Sequence, residues 1–234
     1  MTRRSPRQAL ALLVRILAAQ GYDDKLAGHA SLRDRDDETL LVTPLGVFWR
    51  DVRARDLLRV DRDGKPVEGE GRVNPTIVFH AELHRARPDI RVALHNHPRY
   101  GAIWAAAGEL PPLLDQTGAN GGGRAVLYRE YLGAVIDRSV AAELARAYGS
   151  ADMAILAQHG TLVTGASASQ VLVRALSFEW RCRKAWEVAC MNRPLVPLPE
   201  ATAESLAQYA DEYGEILFEA YAREQVARDP ELMV

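Results

Sequence analysis

The stretch that most constrains this chain is Ile90-Arg91-Val92-Ala93-Leu94-His95-Asn96-His97-Pro98. Its first five residues read as a buried strand, and the next four carry chemistry. Two histidines at i and i+2 on an extended backbone send their side chains to one face. Converging imidazoles are the start of a metal site, and such a site takes three or four protein ligands. The rest of the chain therefore has to supply the missing ones.

A length of 234 residues suits one large α/β domain or two small ones and allows a sizeable core. The formal net charge of −2 gives no reason to expect nucleic acid or an anionic membrane as a partner. The arginines are dispersed among acidic residues, as on a solvated surface of mixed sign. Cys182 and Cys190 lie eight apart in one expected helix, about 12 Å at the usual rise, which is too far for a disulfide. Both are expected to be buried free thiols of a reducing compartment. The opening Met1-Thr2-Arg3-Arg4-Ser5-Pro6 lacks a signal-peptide core, and no apolar run reaches the ~20 residues of a membrane span. The expectation is a soluble, cytoplasmic protein.

Ser5-Pro6 predicts a helix from Pro6 to about Gln20, with Ser5 as N-cap, Gly21 as stop and Leu10, Leu13, Val14, Ile16 and Leu17 on one face. Gly28 to Arg33 follows, then an acidic loop from Asp34 to Glu38. Leu40 to Thr43 and Leu57 to Asp61 read as strands. Asp63-Gly64 predicts a hairpin into Pro66-Val67-Glu68, and these pieces suggest an antiparallel sheet on the first helix. Pro75 to Arg87 turns helical, with Ile77, Phe79, Leu83 and Ala86 as packing positions and Pro88 as the stop. Beyond the histidine strand come a helix from Tyr100 to Ala107, a flexible loop at Asn120 to Gly123 and a helix from Ser139 to Tyr148. A strand at Ala154 to Ala157 leads to Gln158-His159-Gly160, and Leu162 to Gly165 continues the sheet. A long helix from Ser169 to about Asn192 follows. A single last helix is expected over about residues 203–228, and one domain over residues 1–234.

Six histidines are present: His29, His80, His84, His95, His97 and His159. His159 ends a predicted buried strand, and the glycine after it eases approach to a ligand. His95, His97 and His159 together would give three nitrogen donors and leave a coordination position open.

Five elements in order carry a resemblance: Gly28-x-x-Ser31, Thr43-Pro44-x-Gly46, Phe79-His80 with Arg87-Pro88-Asp89, His95-Asn96-His97 and His159-Gly160. This order resembles the class II aldolase/adducin family from about residue 8 to about residue 190. The resemblance implies a three-layer α/β/α sandwich around a mostly antiparallel central sheet. It also implies a divalent metal on His95, His97 and His159, and a homotetramer with active sites at subunit interfaces.

The chain departs from the sugar-phosphate aldolases of that family. Where they carry a glutamate before the helix, Asn74-Pro75-Thr76 places Thr76, which is no general base near neutral pH. The phosphate-binding segments are altered too, with His29 in Gly28-His29-Ala30-Ser31 and Leu45 in the following turn. The chain looks closer to the branch of metal-dependent decarboxylases of hydroxylated aromatic or pyridine dicarboxylates. Decarboxylation of an ortho-hydroxy acid needs a metal template and a proton donor to the ring carbon, and fits the loss of glutamate better than aldol chemistry.

His80, one turn after Thr76, and Tyr100 are the candidate acid–base residues. His29, Ser31, Thr76, Arg99 and Arg124 are the candidate substrate-binding residues, the arginines as carboxylate forks. Gly121-Gly122-Gly123 is a candidate lid hinge. Glu82 and His84 read as surface or salt-bridge residues, and Tyr209 and Tyr213 stand in the last helix without an assigned role. The leading expectation is a metal-dependent carbon–carbon lyase, a carboxy-lyase on a hydroxylated aromatic acid. An aldolase or epimerase on a small hydroxylated or sugar-type substrate, a non-enzymatic adducin-like module and a metal oxygenase are the alternatives. Zn, Mn, Fe and Co all suit the donor set. A small molecule, not nucleic acid or membrane, is the expected partner.

Overall fold

The computed structural model describes residues 4–34, 38–130 and 133–234; residues 35–37 of the expected acidic loop, and the first three of the chain, lie outside these. Helix α1 runs Pro6–Ala19 and opens on a capping box. Ser5 Oγ accepts from the Gln8 amide, and Gln8 Oε1 accepts from the Ser5 amide. It stops at Gln20 and Gly21, whose φ of +92° suits glycine. The five residues of its expected apolar face are all buried. Ala11 and Leu12 on the other side are buried as well, because a short 3₁₀ turn at Trp49–Asp51 and the C-terminal helix also pack on α1.

Eight strands form one sheet: β1 His29–Arg33, β2 Leu40–Val42, β3 Leu58–Val60, β4 Pro66–Glu68, β5 Val92–Asn96, β6 Ala125–Tyr128, β7 Met153–Leu156 and β8 Gly160–Gly165. Their order is β4-β3-β2-β1-β5-β8-β7-β6, and every pair is antiparallel except β6 with β7. The hairpin between β3 and β4 is held by Asp61 Oδ1, which accepts from the Asp63 and Lys65 amides at 2.8 and 2.9 Å. The parallel pair is joined through α5 (Arg138–Tyr148), the crossover that parallel strands require.

Alternation along the strands sorts the core into two layers. Val92 and Leu94 of β5, with Ala30 and Leu32 of β1, meet α1, α3 (Arg99–Ala107), α6 (Ala168–Cys190) and α8 (Ala210–Arg228) on one face. Ala93 of β5 and Leu162 of β8 meet α2 (Ile77–Ala86) and α5 on the other. The architecture is a three-layer α/β/α sandwich. By the period of two, His29, Ser31, His95 and His97 belong to the face covered by α2 and α5.

Several local expectations are corrected. Ala86 is exposed, because α2 has already turned away from the sheet at its last residue. The Asn120–Gly123 stretch is a packed turn after the short helix α4 (Gln116–Ala119). A Cβ on Gly121 would stand 2.8 Å from Ser177 Cβ and 3.0 Å from Arg174 Cα of α6, so glycine serves close packing there. The last helix is two, α7 (Glu200–Ala207) and α8, broken at Gln208–Tyr209. The break lets α7 pack on α4 while α8 packs on α6 and α1. Cys182 is buried but Cys190, at the end of α6, is exposed. Strand β6 was not anticipated, since Ala125–Tyr128 is only half-buried at the sheet edge and alternates weakly.

Candidate metal centre

His29 stands directly across from His95 in the β1–β5 ladder. His97 lies just past the end of β5. His159 closes the tight β7–β8 hairpin, in which Gln158 takes a φ of +60°. Strand pairing and one hairpin thus gather four imidazoles at the same end of the sheet. The rings of His95 and His159 lie 4.6 Å apart, those of His95 and His97 4.8 Å, and those of His97 and His159 5.0 Å. One ring nitrogen from each of these three falls within 4.8 Å of the others. Gly160 makes this convergence possible: a Cβ there would overlap the His97 ring and stand 2.7 Å from the Asn96 carbonyl oxygen.

The partners of the rings decide which nitrogen faces inward. His95 Nδ1 lies 2.9 Å from the Thr161 carbonyl oxygen, an acceptor, so Nδ1 carries the hydrogen and donates it. His97 Nδ1 donates to the Asp24 carboxylate. Both rings therefore turn a bare Nε2 inward, as orienting partners of metal-bound histidines do. Burial, then the neighbouring imidazoles His29, His159 and His97, push the His95 pKa well below the ordinary range. Burial and then His97 lower that of His159. Neutral imidazole is the form that binds a metal. Two rings held with a bare nitrogen inward, and the His159 ring within reach of both, fit a divalent ion, and Zn, Mn, Fe and Co all accept imidazole donors.

The cavity beside them has a volume of about 250 Å³. Phe79, Val135, Leu144 and Leu156 form an apolar wall, while His29, Asn74 and Thr76 join the three histidines on the polar side. His29 Nε2 lies 2.8 Å from Thr76 Oγ1, which donates to Asn74 Oδ1 at 2.8 Å. Behind His29 the polar contacts continue into the interior, through His80, Ser31 and His84.

The other expected site residues are placed differently. His80 is fully buried one layer behind His29 and reaches the cavity only through it. Ser31 is equally buried and bonds His80 and His84, so it does not face the cavity. Arg99 and Tyr100 do not line the cavity, because Pro98 starts α3 away from it. Glu179 of α6 accepts from the Tyr100 and Gly101 amides at 2.7 and 2.8 Å, and fixes that first turn beside a different cavity with Trp180 and Tyr213. Arg124 bonds Ser150 and lines a third cavity next to α7. His84 and Glu82 are not surface residues: both are buried, Glu82 in ion pairs with Arg85 and Arg138. Sequence reasoning missed Asp24, Asn74 and the Thr161 carbonyl as orienting groups. Asp24 and His97 are separated by 73 positions and share no motif.

Residues 8–186 match the family described as the Class II Aldolase and Adducin N-terminal domain. The chain belongs to that family. Among its relatives is a 3,4-dihydroxyphthalate decarboxylase of Arthrobacter keyseri, 32% identical over 242 aligned positions that cover 97% of this chain and 95% of the relative. A 3,4-dihydroxyphthalate decarboxylase of Terrabacter sp. strain DBF63 is 33% identical, covering 88% of this chain and 89% of its own. Among solved structures, an aldolase II superfamily protein from Pseudomonas syringae superposes with a TM-score of 0.84 at 26% identity, over 98% of this chain and 95% of that one. These similarities support a lyase. No helix among the described residues is long and apolar enough to cross a membrane.

Proposed function

We propose that this chain is a metal-dependent carboxy-lyase, a decarboxylase of a hydroxylated aromatic carboxylic acid, and that it works as a homo-oligomer. One observation carries the reading. Three imidazoles, two of them held by hydrogen bonds, each bring one ring nitrogen within 4.8 Å of the others beside an apolar-walled cavity. Two relatives aligned over most of both chains and named as 3,4-dihydroxyphthalate decarboxylases support the choice of substrate class.

His95, His97 and His159 would hold the ion, with Asp24 and the Thr161 carbonyl keeping two of the rings in register. Bound there, a divalent ion supplies a Lewis acid for an adjacent hydroxyl and carboxylate and for the charge that develops as CO2 leaves. The chain does the rest. Phe79, Val135, Leu144 and Leu156 pack the planar ring and keep water from its face. Thr76 and His29 offer the hydrogen-bonding edge. The position where sugar-phosphate aldolases carry glutamate holds a neutral hydroxyl, which suits protonation of a ring carbon better than abstraction of a sugar-hydroxyl proton.

The test is CO2 release from a panel of ortho-hydroxy aromatic mono- and dicarboxylates by protein loaded with Zn, Mn, Fe or Co. Release from at least one acid is expected. Absence of CO2 with all of them, with aldehyde formed from a hydroxylated sugar substrate instead, would overturn the proposal in favour of an aldolase. Oxygen uptake with the iron form would favour an oxygenase.

A further inference from the structure

Helix α3 begins directly after His97, and its N-terminus cannot cap itself. The first turn of a helix leaves backbone N–H groups without an intrahelical acceptor, and a side-chain oxygen at the N-cap ordinarily takes one of them. Here the N-cap is Pro98, whose side chain offers no acceptor. The acceptors come from α6 instead. Glu179 Oε1 accepts from the Tyr100 amide at 2.7 Å, 79 positions away, and Oε2 accepts from the Gly101 amide at 2.8 Å, 78 positions away. Both oxygens of one carboxylate are thus taken up by one helix end. Glu179 is half-buried, and burial raises its pKa while the two amide bonds lower it. No lysine or arginine among the described residues pairs with it, so its counter-charge is the positive end of the α3 dipole.

The same turn leans on the metal centre. A Cβ on Gly101 would stand 2.5 Å from Thr161 Cγ2 and 3.1 Å from Pro98 Cγ, so glycine lets the turn sit this close to β8. Thr161 is the residue whose carbonyl holds the His95 ring, and its hydroxyl donates to the Asn96 carbonyl at 3.1 Å. His97 therefore lies between two anchored points. Before it, Asn96 pairs with Thr161 in the β5–β8 ladder. After it, the Pro98 ring restricts one backbone dihedral, and Glu179 holds the turn that Pro98 opens. Where the His97 ring stands relative to those of His95 and His159 depends on both anchors.

We infer that Glu179 is a positioning residue of the metal centre. It acts on His97 through the first turn of α3, and on His95 through Thr161, against which that turn packs. The inference rests on reading the three histidines as a metal site and is independent of the substrate. Asp24 orients the His97 ring itself, whereas Glu179 sets where the backbone carries that ring.

Glu179→Ala removes both acceptors. When Mn or Zn is titrated into chelator-stripped protein, the variant is expected to bind about tenfold more weakly than the wild type. With Co in the site, its visible absorption bands should shift or change intensity, because they follow the arrangement of the donors. Ser167→Ala is the control. Ser167 caps α6 at its other end, where its hydroxyl accepts from the Gln170 amide at 3.1 Å, beyond the end of β8 that lies away from Gly160. Its loss should lower Tm but leave metal affinity and the Co bands as in the wild type. Weaker binding and altered bands in Glu179→Ala alone support the inference. Wild-type affinity and bands in Glu179→Ala, or equal losses in both variants, overturn it, since the carboxylate then serves only the stability of α3. If Glu179→Ala does not melt cooperatively, Glu179→Gln decides between the same outcomes. It keeps the volume and one acceptor but turns an NH2 group toward the second amide, and a loss of about threefold is expected. Wild-type protein that binds no metal would overturn the metal-centre reading and this inference together, a result distinct from the failure of Glu179 alone.

Discussion

Gly160→Ala tests the metal centre through packing alone, without removing any donor. The new Cβ would stand 2.7 Å from the Asn96 carbonyl oxygen, 0.7 Å inside the 3.4 Å of ordinary contact, and would overlap the His97 ring. Asn96 and Gly160 belong to the ends of two central strands of the sheet, so their backbones cannot part freely. The His97 ring, which the Cβ would approach more closely still, is the softer neighbour and has to move by more than that 0.7 Å. Metal–ligand distances tolerate only about 0.2 Å of error. The expected loss of metal affinity is therefore on the order of 10- to 100-fold, which is about 1.4 to 2.7 kcal/mol. Overpacking costs folding about 1–3 kcal/mol, a fall in Tm of roughly 2–12 °C for a chain of this size. Calorimetric titration of Mn or Zn into chelator-stripped wild type and variant gives the affinity, and thermal unfolding followed by circular dichroism gives the stability. A variant that melts lower but binds metal as the wild type does would refute the reasoning, since His97 could then not be a ligand held against Gly160.

Asp24→Asn keeps the side chain's shape but removes the charge that orients His97; metal affinity should fall about tenfold while unfolding free energy changes by less than about 1 kcal/mol, read from metal titration and urea unfolding. Stripping the metal with a chelator should abolish CO2 release and leave the helical circular dichroism unchanged, because the cores on both faces of the sheet close without it; loss of helix on stripping would contradict this. Acid sensitivity follows from His84, whose folded pKa of about 3 lies below the ordinary 6.5. Its contribution is intact above pH 6.5 and is lost as pH falls toward 3, since only the unfolded chain takes up the proton. At pH 5 the loss from His84 alone is about 2 kcal/mol relative to pH 7.5. Urea unfolding at the two pH values measures it, and His84→Gln should remove that share; equal wild-type stability at both would count against a buried neutral ring.

The local signals in the chain were read correctly where the physics is local. Ser5 and Pro6 define the start of α1, Asp63-Gly64 sets the β3–β4 hairpin, and the apolar run before His95 pairs as a central strand. The i, i+2 spacing of His95 and His97 places both on one face, whatever the partners. What the chain could not show is which distant groups complete each ring's hydrogen bonds. Thr161 and Asp24 lie 66 and 73 positions from the histidines they orient, and His84 meets Ser31 across 53. Tyr100 and Arg99 illustrate the same limit in reverse. They adjoin His97 in sequence, yet the helix that begins at Pro98 turns them toward α6 and Glu179.

Periodicity, capping and turn chemistry act over a few residues, so most helices and strands and the strand face that carries the histidines were legible in the chain, while the three-layer arrangement followed only from the resemblance that the ordered motifs carry. The tertiary structure alone decided that His97 leans on Asp24 across a space only Gly160 leaves open, and that His80 and His84 join His29 and Thr76 in one buried series. Those relations depend on which strands and helices pack together, and no local pattern encodes that.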